Sequence, residues 1–150
     1  MQLFQTLTIV VLLVALIAII ALRYRDRKPN GAKQSSCLDH GEVKRLEKAL
    51  SSWVKEKRYR DYSATREEIA SELHTSKEFL YLYFKWILKL DFNTWRTRLR
   101  VEDAQKLLME NRELPINIVA EMVGFSDRSN FHRQFTKIVG CTPKQWREKQ

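Results

Sequence analysis

The sequence predicts an all-α protein that begins with a single N-terminal transmembrane helix, and three observations support this fold class. Residues 1–22 carry no charged side chain, whereas every Lys, Arg, Asp and Glu of the chain follows them. Apolar residues in the remainder recur three and four positions apart, which is the spacing of one helix face. No segment shows the sustained period-two alternation of a β-strand. The chain therefore divides into a transmembrane helix (1–22), a flexible basic linker (23–41) and a helical domain (42–150).

The apolar N-terminal run is long enough to cross a bilayer. Ile9 to Leu22 is apolar without a break, and extension back to Leu3 gives 20 residues, or roughly 30 Å of helix. A cleaved signal peptide is less consistent, because no basic region precedes the run and no small-x-small site lies before Arg23. A buried core helix of this length would carry a polar face.

Four basic residues lie between Arg23 and Lys28, and such clusters stay on the cytoplasmic side. We therefore expect a single-pass protein of a bacterial inner (cytoplasmic) membrane with its C-terminal domain in the cytoplasm.

The linker and the first helix of the domain follow. Residues 23–41 are polar without a hydrophobic period, which predicts a flexible linker about 25 Å long on average. Asp39 and Glu42 have the spacing of a capping box, which marks a helix start. An amphipathic helix is predicted from there to about Lys57. Its apolar residues are Val43, Leu46, Leu50, Trp53 and Val54.

Two later segments share one pattern: a short helix, a tight turn and a capped second helix. The first, 65–88, opens with a capping box and has Ser76 as the second cap. The second, 115–139, opens with a proline suited to a first helical turn and has Ser126 as its second cap. A helix over 93–110, about 27 Å long, joins them. A last short helix carries Trp146. The predicted inward residues are Ile69, Ala70, Leu73, Leu80, Tyr83, Phe84, Ile87, Trp95, Leu99, Ala104, Leu107, Leu108, Ile118, Val119, Ala120, Val123, Phe131, Phe135 and Ile138.

This organisation is that of a bipartite domain of two helix-turn-helix units joined by a long helix. In such a unit the second helix enters a DNA major groove while the first braces it against the backbone. The joining helix can place two recognition helices in successive grooves, about 34 Å apart on one face of the duplex.

The C-terminal half resembles the DNA-binding domain of AraC/XylS-type transcription regulators, in the runs LRVEDAQKLL (99–108) and INIVAEMVGFSDRSNFHRQFTKIVGCTPKQWR (116–147). Fainter similarity covers 65–95, so the resemblance spans roughly 42–150. It implies a seven-helix bipartite domain that activates or represses transcription at promoters. We expect the transmembrane helix to stand in place of the family's ligand-binding, dimerising domain. The matching elements are Val123-Gly124-Phe125, Asn130-Phe131, Arg133-Gln134-Phe135, Gly140, Thr142-Pro143 and Trp146-Arg147.

The second unit supplies the clearer candidates for DNA contact. With Phe131 and Phe135 inward, helical spacing turns five polar residues outward. Arginine can read guanine bidentately, and serine and histidine can contact bases or phosphates. An ordinary solvated helix has a similar composition, so the resemblance supports this assignment. The five residues are Arg128, Ser129, His132, Arg133 and Lys137.

The first unit is less suited to DNA. Residues 63–111 carry eight basic and eight acidic side chains, so they lack the bulk charge of a strong phosphate binder. The candidates that remain lie four residues apart on one face: Lys77, Tyr81 and Lys85.

The recognition helix of this unit also departs from the family pattern. Leu82 stands where an arginine is usual, and Lys89 where a glycine usually ends the helix. Phe79, Leu82 and Trp86 make a second apolar stripe, which either packs on neighbouring helices or faces a protein or membrane.

Composition excludes several other classes. The net charge of +9 favours a polyanionic partner, nucleic acid or an anionic membrane surface. Cys37 and Cys141 lie far apart and indicate neither a zinc site nor a disulfide framework. We find no phosphate loop, nucleophile–base pair or metal constellation, and therefore predict no enzyme activity, cofactor, metal or small-molecule site.

These observations favour a membrane-anchored, sequence-specific DNA-binding transcription regulator whose second helix-turn-helix is the main reader. The expected partners are double-stranded DNA and the bilayer through residues 3–22, with RNA polymerase and self-association as further candidates. The alternative is a degenerate helix-turn-helix module that acts as a membrane-bound protein-interaction domain. A third interpretation is the remnant of a longer membrane sensor that kept one span and its output domain.

Overall fold

The computed structural model describes residues 39–149, and within them the chain forms helices and no β-strand. A 3₁₀ turn (Arg58–Arg60) follows the first helix, and a π-helical turn (Tyr83–Ile87) extends the third. The predicted all-α fold is confirmed for this part of the chain. Its α-helices are α1 (His40–Lys55), α2 (Arg66–Glu72), α3 (Lys77–Leu82), α4 (Phe92–Glu110), α5 (Ile116–Met122), α6 (Arg128–Val139) and α7 (Pro143–Lys149).

The predicted transmembrane helix over 1–22 and most of the linker over 23–41 lie outside the described residues. Within residues 39–149, no helix combines the length and the apolar composition that crossing a membrane requires. Helix α1 begins at His40, two residues before the predicted domain boundary.

Local hydrogen bonds explain where several helices begin. The Asp39 carboxylate accepts a hydrogen bond at 3.1 Å from a backbone N–H in the first turn of α1. Thr65 and Glu68 form a complete capping box at α2. The Ser76 hydroxyl accepts at 3.0 Å from a backbone N–H of α3. A cap of this kind contributes about 1 kcal/mol. All three predicted caps are confirmed, so the helix starts in the first half follow from local sequence.

The cap of α6 is Asp127, and the predicted cap at Ser126 is wrong. The Asp127 carboxylate accepts from the backbone N–H groups of Ser129 at 3.1 Å and Asn130 at 2.7 Å. A carboxylate offers two acceptor oxygens, so it satisfies two of the unpaired N–H groups of the first turn. Its charge also suits the positive end of the helix dipole.

The buried residues form two hydrophobic clusters, one in each half of the domain. The first cluster surrounds Trp53, whose ring centroid lies 6.1 Å from those of Phe92 and Trp95. The second cluster surrounds Phe131 and Phe135, both of which are fully buried. Helix α4 supplies residues to both clusters and is therefore the structural element that the two halves share.

Three isoleucines that were predicted to face the core are exposed instead. Ile87, Ile118 and Ile138 are 41%, 36% and 39% exposed, respectively. Ile87 lies in the π-helical turn, whose wider helix changes the direction in which each side chain points. In α5 and α6, the nearby Ile116 and Val139 pack against the second cluster instead. Successive residues of a helix are rotated by about 100°, so a buried face that is predicted one residue out of place turns a predicted core residue toward solvent.

Candidate nucleic-acid interface

A glycine turn sets the crossing of the two helices in the second unit (α5 and α6). The N–H of Gly124 donates to the Glu121 carbonyl at 2.9 Å, and its φ of +90° lies in the left-handed region. A β-carbon there would overlap the carbonyl oxygen of Arg60 and lie 2.6 Å from its carbonyl carbon. Two independent constraints, backbone angle and close approach, therefore require glycine at this position.

The buried side of α6 fixes which residues face outward. Phe131 and Phe135 are fully buried, and the Phe131 ring lies edge-on to Phe125 at 5.2 Å between centroids. The opposite side of the helix carries basic groups and no acidic residue. Four of the five predicted contact residues are exposed: Arg128 in the first turn, and Ser129, Arg133 and Lys137.

Arg133 is held by a neighbour that the sequence did not single out as functional. Its guanidinium donates to the Asn130 side-chain oxygen at 3.0 Å. The backbone N–H of Asn130 is itself bound by the Asp127 cap at 2.7 Å. The cap fixes the backbone from which the Asn130 side chain extends, and the oxygen of that side chain favours one position of the Arg133 guanidinium. The i,i+3 spacing of Asn130 and Arg133 was the available signal.

His132, the fifth predicted residue, lies at the edge of the second cluster. Its ring stands edge-on to Phe131 at 5.8 Å between centroids, and the side chain is half-buried. Its Nε2 atom is covered by protein and has no hydrogen-bond partner among residues 39–149. In this arrangement His132 is less exposed than the other four predicted contact residues of α6.

The first unit consists of α2, α3 and the π-helical turn. Its three predicted contact residues are exposed, but each forms a hydrogen bond within the unit. Lys77 donates to the Glu67 carboxylate at 2.5 Å, and this hydrogen bond raises the pKa of Lys77. Lys85 donates to the Tyr81 hydroxyl at 2.9 Å. One of the two cations is therefore paired with a carboxylate, which weakens the attraction of this helix for phosphate.

The end of the first recognition helix shows what replaces the family's glycine. Lys89 adopts a φ of +53°, a left-handed conformation that a non-glycine residue rarely takes. The ammonium groups of Lys85 and Lys89 lie 5.4 and 5.1 Å from the Trp86 ring, respectively, within cation–π range. Trp86 and Leu82 are half-buried, so the second apolar stripe is only partly covered by neighbouring helices.

A buried carboxylate on α4 joins the two halves. Asp103 is 6% exposed, and its Oδ2 accepts from the Tyr59 hydroxyl at 2.9 Å and from Arg60 Nε at 2.7 Å. Lys57 approaches Oδ1 at 3.5 Å. Burial alone would raise the pKa of Asp103, but the hydrogen bonds from Arg60 and Tyr59 outweigh it and lower the pKa. Burial and the bond to Asp103 raise the pKa of Tyr59 to about 12.

Two arginines of α4 bind the same 3₁₀ turn through its backbone. Arg96 and Arg100 donate to the Tyr59 carbonyl at 3.1 and 2.6 Å, and both also donate to the Asp61 carbonyl. Burial, with repulsion from Arg96, lowers the pKa of Arg100 to about 10. We call the 3₁₀ turn, Asp103 and these two arginines the interunit junction. The partners of this junction lie some 40 positions apart in the sequence and leave no local pattern, so it was not predicted.

Comparison with known proteins agrees with this architecture. The helix-turn-helix domain family matches residues 69–149. The RCS-specific HTH-type transcriptional activator RclR of Escherichia coli is 32% identical over 57% of this chain and 30% of its own length. The chain thus spans less than a third of the length of this curated relative. The curated relatives are regulatory proteins and not enzymes.

Solved structures match over a larger share of their own length. The C-terminal domain of AraT, a response regulator from Geobacillus stearothermophilus, is 29% identical, with a TM-score of 0.63, over 76% of this chain and 88% of that one. The C-terminal domain of the two-component response regulator yesN from Fusobacterium nucleatum is 31% identical, with a TM-score of 0.60, over 67% and 96% respectively.

Proposed function

This chain belongs to the AraC-type family of helix-turn-helix DNA-binding domains, and we propose that it is a sequence-specific transcription regulator that reads double-stranded DNA mainly through α6. The relatives favour this role, because one is named a transcriptional activator and two are response regulators. In a helix-turn-helix unit the N-terminal residues of the recognition helix contact base edges. In α6 those residues include Arg128 and Ser129.

The charge and order of α6 carry this proposal. Helix α6 presents three exposed basic side chains and no acidic one, and the guanidinium of Arg133 donates a hydrogen bond to Asn130. An ordered arginine loses less conformational entropy when it binds a guanine. In α3, by contrast, Lys77 is paired with Glu67, and Glu78 adds a second carboxylate nearby. We therefore expect α6 to supply most of the sequence selectivity.

The test is a selection of random duplex DNA with the full chain in lipid nanodiscs at one fixed salt concentration. Binding to the enriched site is then measured for Arg133→Ala. Loss of a direct base contact costs about 1–3 kcal/mol, a weakening of roughly 5- to 150-fold. The matched control is Arg112→Ala, which removes the same charge from an exposed position between α4 and α5. It should cause a small loss that is equal for all sequences. If no motif is enriched, or if both variants weaken binding equally, α6 is not the reader.

We further propose that residues 1–22 anchor the regulator in the inner membrane. The uncharged run and the basic cluster after it support this, with the domain on the cytoplasmic side. The 17 residues between Leu22 and His40 reach at most about 60 Å. Target DNA must then approach the membrane to within that distance plus the width of the domain. A reporter enzyme that is active only outside the cytoplasm, fused after Gln150, should be silent. A strong signal would reverse the topology and exclude DNA binding in the cell.

A second candidate function is a membrane-bound protein-interaction module. The observation that favours it is the exposure of Ile87 and Leu88, at 41% and 40%, beside the half-buried Trp86. If this patch binds a protein, Ile87→Ser should abolish the cellular effect and leave DNA affinity unchanged. If regulation requires DNA reading alone, Ile87→Ser should change neither.

A further inference from the structure

We propose that the interunit junction is a positioning device that fixes the two helix-turn-helix units relative to each other, so that the chain recognises two half-sites at one spacing. Asp103 is the central positioning residue. This inference rests on the proposed DNA-binding function, and it adds to that function a rule about which composite sites are bound.

The need for such a device follows from how the two cores are built. Each unit has its own hydrophobic cluster, and α4 is shared between them. Contacts between apolar side chains have no preferred direction, so they permit small rotations that hydrogen bonds resist. Asp103 is adjacent to Ala104 of the second cluster, and it bonds to Tyr59, whose ring is buried in the first. The carboxylate and the phenol therefore tie one cluster to the other by a directional bond.

The same 3₁₀ turn also contacts the turn of the second unit. The backbone of Arg60 lies against Gly124 so closely that a β-carbon at Gly124 would be 2.8 Å from the Arg60 Cα. The guanidinium of Arg100, which donates to the Tyr59 carbonyl, lies 5.8 Å from the ring centroid of Phe125. The turn is thus held at two places, on α4 and beside the glycine turn that leads into α6. Two separated contacts prevent the rotation that either one alone would allow.

Breaking this junction should loosen the angle between the units without unfolding either. Removing one partner of a buried, hydrogen-bonded charge leaves the others unpaired, which favours an altered arrangement of the group. On DNA, one base pair changes the position of a half-site by about 3.4 Å and its direction by roughly 35°. If the two units are held rigidly, a site with the changed spacing should bind more weakly, whereas units that can rotate should bind both spacings with similar affinity.

The experiment uses the full chain in lipid nanodiscs and the composite site obtained by selection. Affinity is measured for the selected spacing, for spacings one base pair longer and shorter, and for a duplex that contains only the α6 half-site. For the wild type we expect a loss of about tenfold or more on changing the spacing. For Asp103→Asn we expect that loss to shrink to under about threefold, while affinity for the isolated α6 half-site stays within about twofold.

Two further variants keep the test decisive. Glu102→Gln is the matched control, because Glu102 is the exposed neighbour of Asp103 on α4, and it should retain the wild-type spacing preference. Tyr59→Phe removes one donor to Asp103 and no charge, and it should reduce the preference by less than Asp103→Asn does. If Asp103→Asn fails to fold, Tyr59→Phe decides the matter.

The outcomes separate this inference from the proposed function. If the wild type binds no selected site, the DNA-reading function itself fails. If the wild type shows a spacing preference that folded Asp103→Asn or Tyr59→Phe retains in full, the junction does not position the units. If isolated half-site affinity falls as much as composite-site affinity, Asp103 supports the fold of the second unit and not its placement.

Discussion

The two glycines with positive φ angles provide a sharp test of the packing at the interunit junction. Gly124 and Gly140 have φ values of +90° and +84°, so alanine meets the same backbone penalty of roughly 1–2 kcal/mol at either position. Their surroundings differ. A β-carbon at Gly140 meets no atom within 4 Å, whereas one at Gly124 would lie 2.6 and 2.8 Å from Arg60 backbone atoms. Overpacking of this kind costs a further 1–3 kcal/mol or so. We therefore expect about 1–2 kcal/mol for Gly140→Ala and about 2–5 kcal/mol for Gly124→Ala.

The assay is thermal unfolding of the chain without residues 1–22, followed by circular dichroism. A domain of this size loses about 4 °C of Tm for each kcal/mol. Gly140→Ala should lower the Tm by about 4–8 °C, and Gly124→Ala by about 8–20 °C. Equal shifts at the two positions, or a larger shift at Gly140, would show that the turn at Arg60 does not press on Gly124 in solution.

Three other predictions concern the charge of the two units, the buried Asp103 and the N-terminal segment. Lys85→Ala should weaken binding to the selected DNA site less than Arg133→Ala does, because residues 112–150 carry seven basic and four acidic side chains whereas residues 63–111 carry eight of each. An equal loss in titrations would contradict this order. The lowered pKa of Asp103 means that its contribution to stability is present above the ordinary aspartate pKa of about 3.9 and is lost as the pH falls below it. Asp103→Asn should therefore show a weaker decrease of Tm between about pH 5 and pH 2, and an unchanged decrease would refute this assignment. Deleting residues 1–22 should leave a helical protein that melts cooperatively. Chromatin immunoprecipitation should show that this truncated protein occupies its DNA sites in cells more readily than the full chain does at equal abundance. If the truncated protein folds but binds no site, the anchor supplies something that the DNA-bound state requires.

Features that depend on neighbouring residues were predictable from the sequence. The caps at Thr65 and Ser76 were predicted correctly because the donor and the acceptor of a cap lie within three residues of each other. The inward positions of Phe131 and Phe135 follow from helical spacing within one helix. The same spacing predicted the exposure of four of the five candidate contact residues on α6, but it was wrong for His132, which is half-buried, and for Ile138, which is exposed. The cap of α6 was assigned wrongly because Ser126 and Asp127 are adjacent, and both residue types cap helices.

Helix α4 shows where helical spacing stops being informative. Its N-terminal part contributes Phe92 to the first cluster, and its C-terminal part contributes Ala104 and Leu108 to the second. The buried side therefore changes direction along the helix, and no single apolar stripe describes it. Arg96 and Asp103 were not predicted to be buried, since a charged residue is buried only when partners elsewhere in the chain compensate for its lost hydration. Those partners are distant in sequence.

The electrostatics of the candidate interface depend on similar long-range pairing, and this changes the comparison between the two units. By sequence alone, Lys77 counts as a cation on the first recognition helix. In the fold, Glu67 of the preceding helix neutralises it at 2.5 Å, whereas Arg133 of α6 is paired with an uncharged amide. Pairing with a neutral amide leaves the full charge of an arginine for phosphate or guanine, whereas an exposed pair with a carboxylate contributes little and competes weakly with phosphate. The imbalance between the two recognition helices is therefore somewhat larger than the charges of their own residues indicate, and it favours a chain that reads sequence with α6 and uses the first unit mainly to complete a composite site.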